Sequence, residues 1–154
     1  VGSGWSLAEW KGYGGLDLGT ICDSVFDSIA EKQTLSDEEM GKLQALFQER
    51  TIGAALNLVD KRMIQKVESA SGRSLYLVAG SQPQPYVCFK RFCPCPYFQM
   101  SVINKSQALL CKHVIGARLA DSLRRVEVLS VSNEEFTSWM LQDNEVGGAQ
   151  SQVP

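Results

Sequence analysis

Two tight pairs of metal-ligating side chains constrain this chain more than any other feature of its sequence. Cys93 and Cys95 stand one residue apart, and Cys111 and His113 repeat that spacing after fifteen intervening residues. The chain holds five cysteines and one histidine, and four of these side chains fall into the two pairs. Three thiolates and one imidazole form a donor set that closes a tetrahedral zinc site. We therefore predict one structural Zn²⁺ held by these four residues, with no open coordination position for a reacting water.

Two other interpretations of the cysteines stay open at this point. A disulfide framework suits secreted proteins, but we find no secretion signal, and five cysteines leave one without a partner. A cysteine nucleophile activated by His113 could be Cys88 or Cys111, yet no orienting third group or oxyanion motif is recognisable. We expect Cys88 and Cys22 to be buried structural thiols, with a spare metal ligand as the alternative for Cys88. We accordingly expect that the protein is not an enzyme.

Hydrophobic periodicity predicts an α+β fold stabilised by zinc. Helical spacing is followed by two strand-like runs that flank a glycine turn, and by a third short strand that leads into the first cysteine pair. The predicted sheet is therefore short and antiparallel, built from a hairpin and one further strand. We divide the chain into a flexible arm (1–19), an N-terminal helical segment (20–62), the β-hairpin with the zinc finger (63–125), a C-terminal strand and helix (126–142) and a disordered tail (143–154).

Local signals predict where several helices begin. Ser36 and Glu39 have the spacing of a capping box, in which each side chain bonds the other residue's backbone N–H. Thr51 is the candidate cap of the next helix, and Ser132 with Glu135 predicts the start of the last one. No apolar run approaches the ~20 residues that a membrane-spanning helix needs, so we expect no membrane association.

Charge is distributed unevenly along the chain. Residues 1–60 carry a net charge of −6, residues 61–125 carry +9, and residues 126–154 carry −5. The basic segment contains both cysteine pairs. Such segments attract polyanions, including nucleic acid, and the alternative is a solvated face balanced by acidic groups elsewhere in the fold.

Basic side chains around the finger are the candidates for nucleic-acid contacts. They are Lys90, Arg91, Lys105, Lys112, Arg118 and Arg125. We expect Arg118 and Arg125, seven residues apart, to share one side of a helix away from its apolar stripe. Phe92, Tyr97 and Phe98 are candidates for base stacking, although packing around the metal is the preferred interpretation of these rings.

The order Cys-x-Cys, spacer, Cys-x-His resembles the SWIM zinc finger. The stretches "SASGRSLYLVAG", "CPCPYF" and "LLCKHVIGARLA" are also similar to the small SWIM-domain proteins of Shu complexes, and the resemblance runs from about Leu35 to Met140. SWIM fingers also occur in transposases and ubiquitin ligases. An interaction adaptor without direct DNA contact is therefore the alternative function.

The Shu resemblance implies a nuclear, non-enzymatic accessory subunit in homologous-recombination DNA repair. Such a subunit pairs with a RecA-like recombinase paralogue as a heterodimer and promotes recombinase filament assembly on single-stranded DNA, which it contacts directly or through its partner. The sequence has no G-x-x-x-x-G-K-[ST] loop to hold phosphates, so we expect any ATP to bind the partner. We expect the partner to cover apolar surface on the N-terminal helices and the hairpin.

Overall fold

Three helices open the part of the chain that the computed structural model describes, residues 17–144. They are α1 (Leu18–Lys32), α2 (Asp37–Leu46) and α3 (Glu49–Asp60). Residues 1–16 of the predicted arm and 145–154 of the predicted tail lie outside the described residues. Helix α1 begins before the predicted arm boundary at residue 19, because the Asp17 carboxylate accepts a 2.8 Å hydrogen bond from the Thr20 N–H and caps the helix.

The predicted caps of α2 and α3 need correction. Ser36 is the N-cap residue of α2, but its hydroxyl donates to the Glu39 carboxylate and bonds no backbone N–H of the helix. The capping box is therefore replaced by a bond between the two side chains. Helix α3 begins earlier than expected, with Gln48 and not Thr51 at its N-cap.

A mixed four-stranded sheet follows the helices. Strand β2 (Ser74–Val78) pairs antiparallel with both β1 (Ile64–Ser69) and β3 (Tyr86–Cys88), as predicted. Strand β4 (Glu127–Val131) pairs in parallel with β1, so the strand order is β3-β2-β1-β4. The α+β fold is confirmed, but the sheet is mixed and larger than expected. A parallel pair requires a crossover connection, and the finger with its helix provides it here.

The two faces of the sheet belong to two apolar clusters, because successive strand residues point to opposite sides. Tyr76, Val78 and Cys88 face the helices and the finger and join the larger cluster. Val67, Leu75, Leu77 and Val87 face the opposite side, where Phe136 packs against them. Phe136 belongs to the last helix, α5 (Asn133–Asn144), whose start is capped as predicted by a 3.1 Å bond from the Glu135 N–H to the Ser132 hydroxyl.

Helix α4 (Lys112–Ser122) is the central element of the larger cluster. Every residue from His113 to Ala120 is buried, so the helix is covered on nearly all sides. It approaches α3 closely at Gly116, where an added Cβ would lie 3.2 Å from the Ala55 carbonyl oxygen. None of the helices in residues 17–144 is long and apolar enough to cross a membrane.

Candidate metal centre

The structure brings the four predicted ligands together. One ligand atom from each of Cys93, Cys95, Cys111 and His113 lies within 4.8 Å of the others, and all four residues are buried. Within the described residues, this cluster alone gathers three or more histidine, cysteine or acidic groups closely enough for one metal ion. The arrangement agrees with the pairing predicted from the sequence.

Each pair is delivered by a short, defined backbone element. A β-bridge between Phe89 and Phe92, with a 2.8 Å hydrogen bond from the Phe89 N–H to the Phe92 carbonyl, turns the chain back after β3 and leads it into Cys93. Cys111 is the N-cap residue of α4, in extended conformation, and His113 lies in the first turn of that helix. The cap and the first turn therefore place the second pair without a long loop.

The spacing of the ligand atoms suits a tetrahedral zinc ion. His113 Nδ1 lies 3.7 Å from Cys93 Sγ and 3.8 Å from Cys111 Sγ. Bond lengths of about 2.3 Å for Zn–S and about 2.0 Å for Zn–N place sulfur and nitrogen ligands roughly 3.5 Å apart in a tetrahedron. The cluster can therefore hold one ion with small adjustments, and its three sulfurs select a thiophilic metal.

The acid–base properties of the thiols are compatible with a bound cation. Hydrogen bonding with Cys93 and Cys95, together with burial, raises the pKa of the Cys111 thiol. Hydrogen bonds from Cys111 and Cys93 lower the pKa of Cys95 far below its usual value. The protein alone thus favours a thiolate at Cys95 and a neutral thiol at Cys111. A divalent ion supplies the positive charge that allows all the sulfurs to ionise.

Neighbouring groups orient the ligands. The Phe98 N–H donates a 3.3 Å hydrogen bond to Cys95 Sγ. Phe98 begins a π-helical turn, Phe98–Asn104. The ring of Tyr86 packs on the ring of His113, with 4.8 Å between their centroids. Such contacts fix ligand orientation, and their loss typically weakens metal binding.

Cys88 is a buried thiol outside the four-ligand group, although its side chain lies near that of Cys93. It lies on β3, fully buried, and its sulfur is 3.9 Å from the Tyr86 carbonyl oxygen. Cys22 is buried on α1. Both residues agree with the prediction of buried structural thiols.

The structure separates the basic residues that the sequence groups together. Arg125 lies beyond the end of α4 at Ser122, so the two arginines do not share one side of that helix, and Arg118 is 4% exposed and donates a 2.6 Å hydrogen bond to Asp23 on α1. Arg91 donates to the same carboxylate at 2.5 Å. Arg118 is buried because a carboxylate from the distant N-terminal helix reaches it, a pairing that no local pattern in the sequence indicates.

The other basic candidates are exposed. Arg125 lies 3.5 Å from Asp60. Lys90, Lys105 and Lys112 have no carboxylate within ion-pair distance among residues 17–142. Of the three candidate aromatic rings, Phe98 is buried, whereas Phe92 and Tyr97 are 39% and 40% exposed. Phe92 packs edge-on against Phe98, with 5.5 Å between the ring centroids.

Sequence reasoning missed a groove beside the cluster. It lies between the end of α3, the loop after β2 and the finger, and its volume is about 440 Å³. Its lining includes Lys61, Met63, Ser81, Tyr86, Tyr97 and Lys112. Residues 61–63 are far from the finger in the sequence. The sequence links them to the finger only in that both belong to the basic segment.

Comparison with known proteins gives relatives with one shared description. The chain is 35% identical over 118 residues to zinc finger SWIM domain-containing protein 7 of Mus musculus. The matched region covers 75% of this chain and 77% of the relative. The human protein of that name is 36% identical over 118 residues, or 84% of its length. The Dictyostelium discoideum homolog is 37% identical over 111 residues, which is 70% of each chain. No family model and no solved structure matches the chain.

Proposed function

The chain belongs to the family of zinc finger SWIM domain-containing protein 7, and from this premise we propose that it is a non-enzymatic accessory subunit of a Shu-type complex in homologous recombination. In this role it binds one structural Zn²⁺, pairs in the nucleus with a RecA-like ATPase and promotes recombinase filament assembly on single-stranded DNA. The observation that carries the proposal is the match over 118 residues with family members, which includes the Shu-like finger sequence.

The zinc part of the proposal rests on the closed donor set. Four protein ligands leave no coordination position for water or substrate, which is typical of structural zinc and not of catalytic zinc. The ion would join the turn after β3 to the start of α4, because each contributes one pair of ligands. It would thereby fix the crossover that leads from β3 to β4.

Exposed apolar surface supports an obligate partner, although not where the sequence suggests. The large exposed apolar side chains of residues 17–144 lie outside α1–α3. Val128 and Leu129 on β4 are 52% and 39% exposed, and Leu141 on α5 is 57% exposed. Strand β4 is an edge of the sheet, and an edge with exposed apolar residues is a template for pairing with another chain. A partner that covers this edge would explain why the edge is left unpaired within the chain and why its apolar side chains are exposed.

Affinity purification from the native cells tests the proposal. Tagged wild-type chain is compared with His113→Ala, which removes a metal ligand, and with Cys22→Ala, which removes a buried cysteine outside the cluster. Quantitative mass spectrometry should recover a RecA-like ATPase with wild type and Cys22→Ala and lose it with His113→Ala. The effect of His113→Ala on partner binding is indirect, because the metal ligand supports the fold that presents the interface.

Two results would contradict the proposal. Recovery of ubiquitin-transfer components without any ATPase would favour the adaptor function. Normal formation of recombinase foci at DNA breaks in cells that lack the protein would remove the recombination role, whatever partner is recovered.

A further inference from the structure

The groove between α3 and the finger combines features that a single-stranded polynucleotide requires. Two unpaired ammonium groups, those of Lys61 and Lys112, line it together. No acidic residue lines the groove, and Asp60, which precedes Lys61, lies against Arg125 at a distance of 3.5 Å. The two lysines therefore bring two positive charges that no carboxylate described in residues 17–142 pairs with, and these outweigh the single net negative charge of Zn²⁺ with three thiolates, of which Cys95 also lines the groove. An anionic ligand would complete the groove.

The same groove exposes flat and polarisable surface. Tyr97 is 40% exposed and Met63 is 37% exposed, and both line it. A phosphate-binding site alone needs no such surface, whereas proteins that bind single strands place aromatic rings beside basic side chains so that unstacked bases cover the rings. The volume of about 440 Å³ is within the range of sites that hold small organic ligands.

The metal cluster preorganises this groove. Tyr97 follows the ligand Cys95 by two residues, and Lys112 lies between the ligands Cys111 and His113. Tyr86, on the floor, is held against the His113 ring. Its position also depends on Gly80, because a Cβ there would clash with the Tyr86 ring. A rigid floor and wall reduce the ordering cost of binding.

We propose that this groove binds one nucleotide of single-stranded DNA, with the base stacked on Tyr97 and the adjoining phosphate held between Lys61 and Lys112. The inference rests on the proposed function and assigns its DNA contact to a specific site. Duplex DNA would offer only phosphates here, because its bases are already stacked. The groove therefore prefers single strands, with little dependence on sequence.

Fluorescence anisotropy with a labelled oligothymidylate of about 20 nucleotides tests the site. The zinc-loaded full chain is titrated over roughly 50 to 200 mM salt. The groove variants are Lys61→Gln/Lys112→Gln and Tyr97→Leu. The matched controls remove the same groups outside the groove, at residues that the sequence names as candidate contacts but that do not line it: Lys90→Gln/Lys105→Gln removes two other unpaired lysines, and Phe92→Leu removes a ring of equal exposure. Zinc content and the thermal melt are measured for every variant, so that loss of the fold is distinguished from loss of the contact.

We expect the two groove variants to weaken binding in different ways. The double lysine variant should reduce the slope of log affinity against log salt by about 0.7, because it removes the one phosphate contact of the groove and a single-strand phosphate contact contributes roughly that much. Tyr97→Leu should weaken affinity by about tenfold with little change in slope, because it removes stacking and leaves the charge intact. Both control variants should bind within about twofold of wild type.

Four outcomes would overturn the groove assignment. The first is loss of affinity in the control variants while the groove variants bind normally, and the second is an equal loss in all four. The third is that polyglutamate displaces the oligonucleotide and that the affinity for polyglutamate also depends on Tyr97. That result would make the groove a binding site for acidic peptides. Absence of oligothymidylate binding by wild type, alone and with its co-purified partner, would also reject it. Affinity purification tests the proposed function independently of the groove, because the groove variants should still co-purify with the ATPase.

Discussion

Arg118 Nη2 donates a 2.6 Å hydrogen bond to Asp23 Oδ1, which links the helix that follows the metal cluster to the first helix. The guanidinium also lies over the ring of Phe26, with Cζ 4.4 Å from the centroid. Arg118 is 4% exposed, whereas Arg91, the second partner of Asp23, has a side chain that is 55% exposed. One carboxylate therefore joins a buried and an exposed arginine.

Removing this carboxylate should destabilise the fold strongly. Asp23→Ala leaves the buried Arg118 charge without its partner, and breaking a buried pair in this way costs about 3–5 kcal/mol. Arg91→Gln removes the exposed partner of the same carboxylate and should cost about 1 kcal/mol or less. Urea unfolding of the zinc-loaded proteins measures both values. Equal losses for the two variants would show that the burial of Arg118 has no energetic consequence.

Removal of a metal ligand should unfold the finger. His113→Ala should lose the metal and disorder the region from about Lys90 to Leu123, because structural zinc contributes on the order of 10–16 kcal/mol of apparent binding free energy in small peptides near pH 7. Elemental analysis and thermal melts provide the measurement, with Cys22→Ala as the control that retains zinc. A protein purified without chelator that contains no zinc, or an unchanged melt for His113→Ala, would refute the structural-zinc assignment.

Glu39 should make stability depend on pH in the acidic range. Its carboxylate is fully buried, and hydrogen bonds from Lys32, Ser36 and Ser28 lower its pKa from 4.5 to about 2. Because the pKa in the folded state lies below the ordinary value, ionised Glu39 stabilises the fold fully above pH 4.5. That contribution is lost as the pH falls from 4.5 towards about 2.

Comparison with Glu39→Gln isolates this effect. Acid also releases zinc from thiolate ligands, and that loss should occur in both proteins. The difference in unfolding free energy between wild type and Glu39→Gln should therefore shrink as the pH falls through this range. A difference that stays constant would mean that Glu39 does not titrate below its ordinary pKa.

Two glycines in helices should respond oppositely to alanine. An added Cβ at Gly116 would meet the Ala55 carbonyl oxygen at 3.2 Å and Ile64 Cδ1 at 3.3 Å, whereas nothing lies within 4 Å at Gly53. Gly53→Ala should stabilise α3 by up to about 1 kcal/mol through helix propensity. Gly116→Ala should instead lower stability by about 1 kcal/mol, because overpacking outweighs the same gain. Stabilisation by both substitutions would show that α3 and α4 can move apart freely.

The sequence predicts those features that depend on neighbouring residues. The metal ligands follow from their spacing, the hairpin follows from alternation around Gly72, whose φ is 91°, and the last helix follows from its serine cap. These signals act within a few residues, so no knowledge of the tertiary structure is needed.

Features that depend on distant residues could not be predicted. The short segment at β4 has strand character, but nothing in it indicates a parallel pairing with β1. Arg118 looks like a surface residue until Asp23 is placed beside it. Ser36 and Glu39 have the spacing of a capping box, yet Lys32 and Ser28 also bond the carboxylate and draw it into the interior. The groove likewise arises only when residue 61 meets the finger.

The parallel pairing of β1 with β4 has a consequence for how quickly the protein can fold. Residue 65 pairs with residue 127, so the sheet cannot be completed until nearly all of the chain between them has been ordered. Contacts between residues so distant in sequence slow the search for the native topology. A metal ion that ties residue 93 to residue 113 shortens the effective loop, which lowers the entropy cost of closure. Refolding should therefore be faster with zinc present, and stopped-flow fluorescence with and without the metal would measure the acceleration directly.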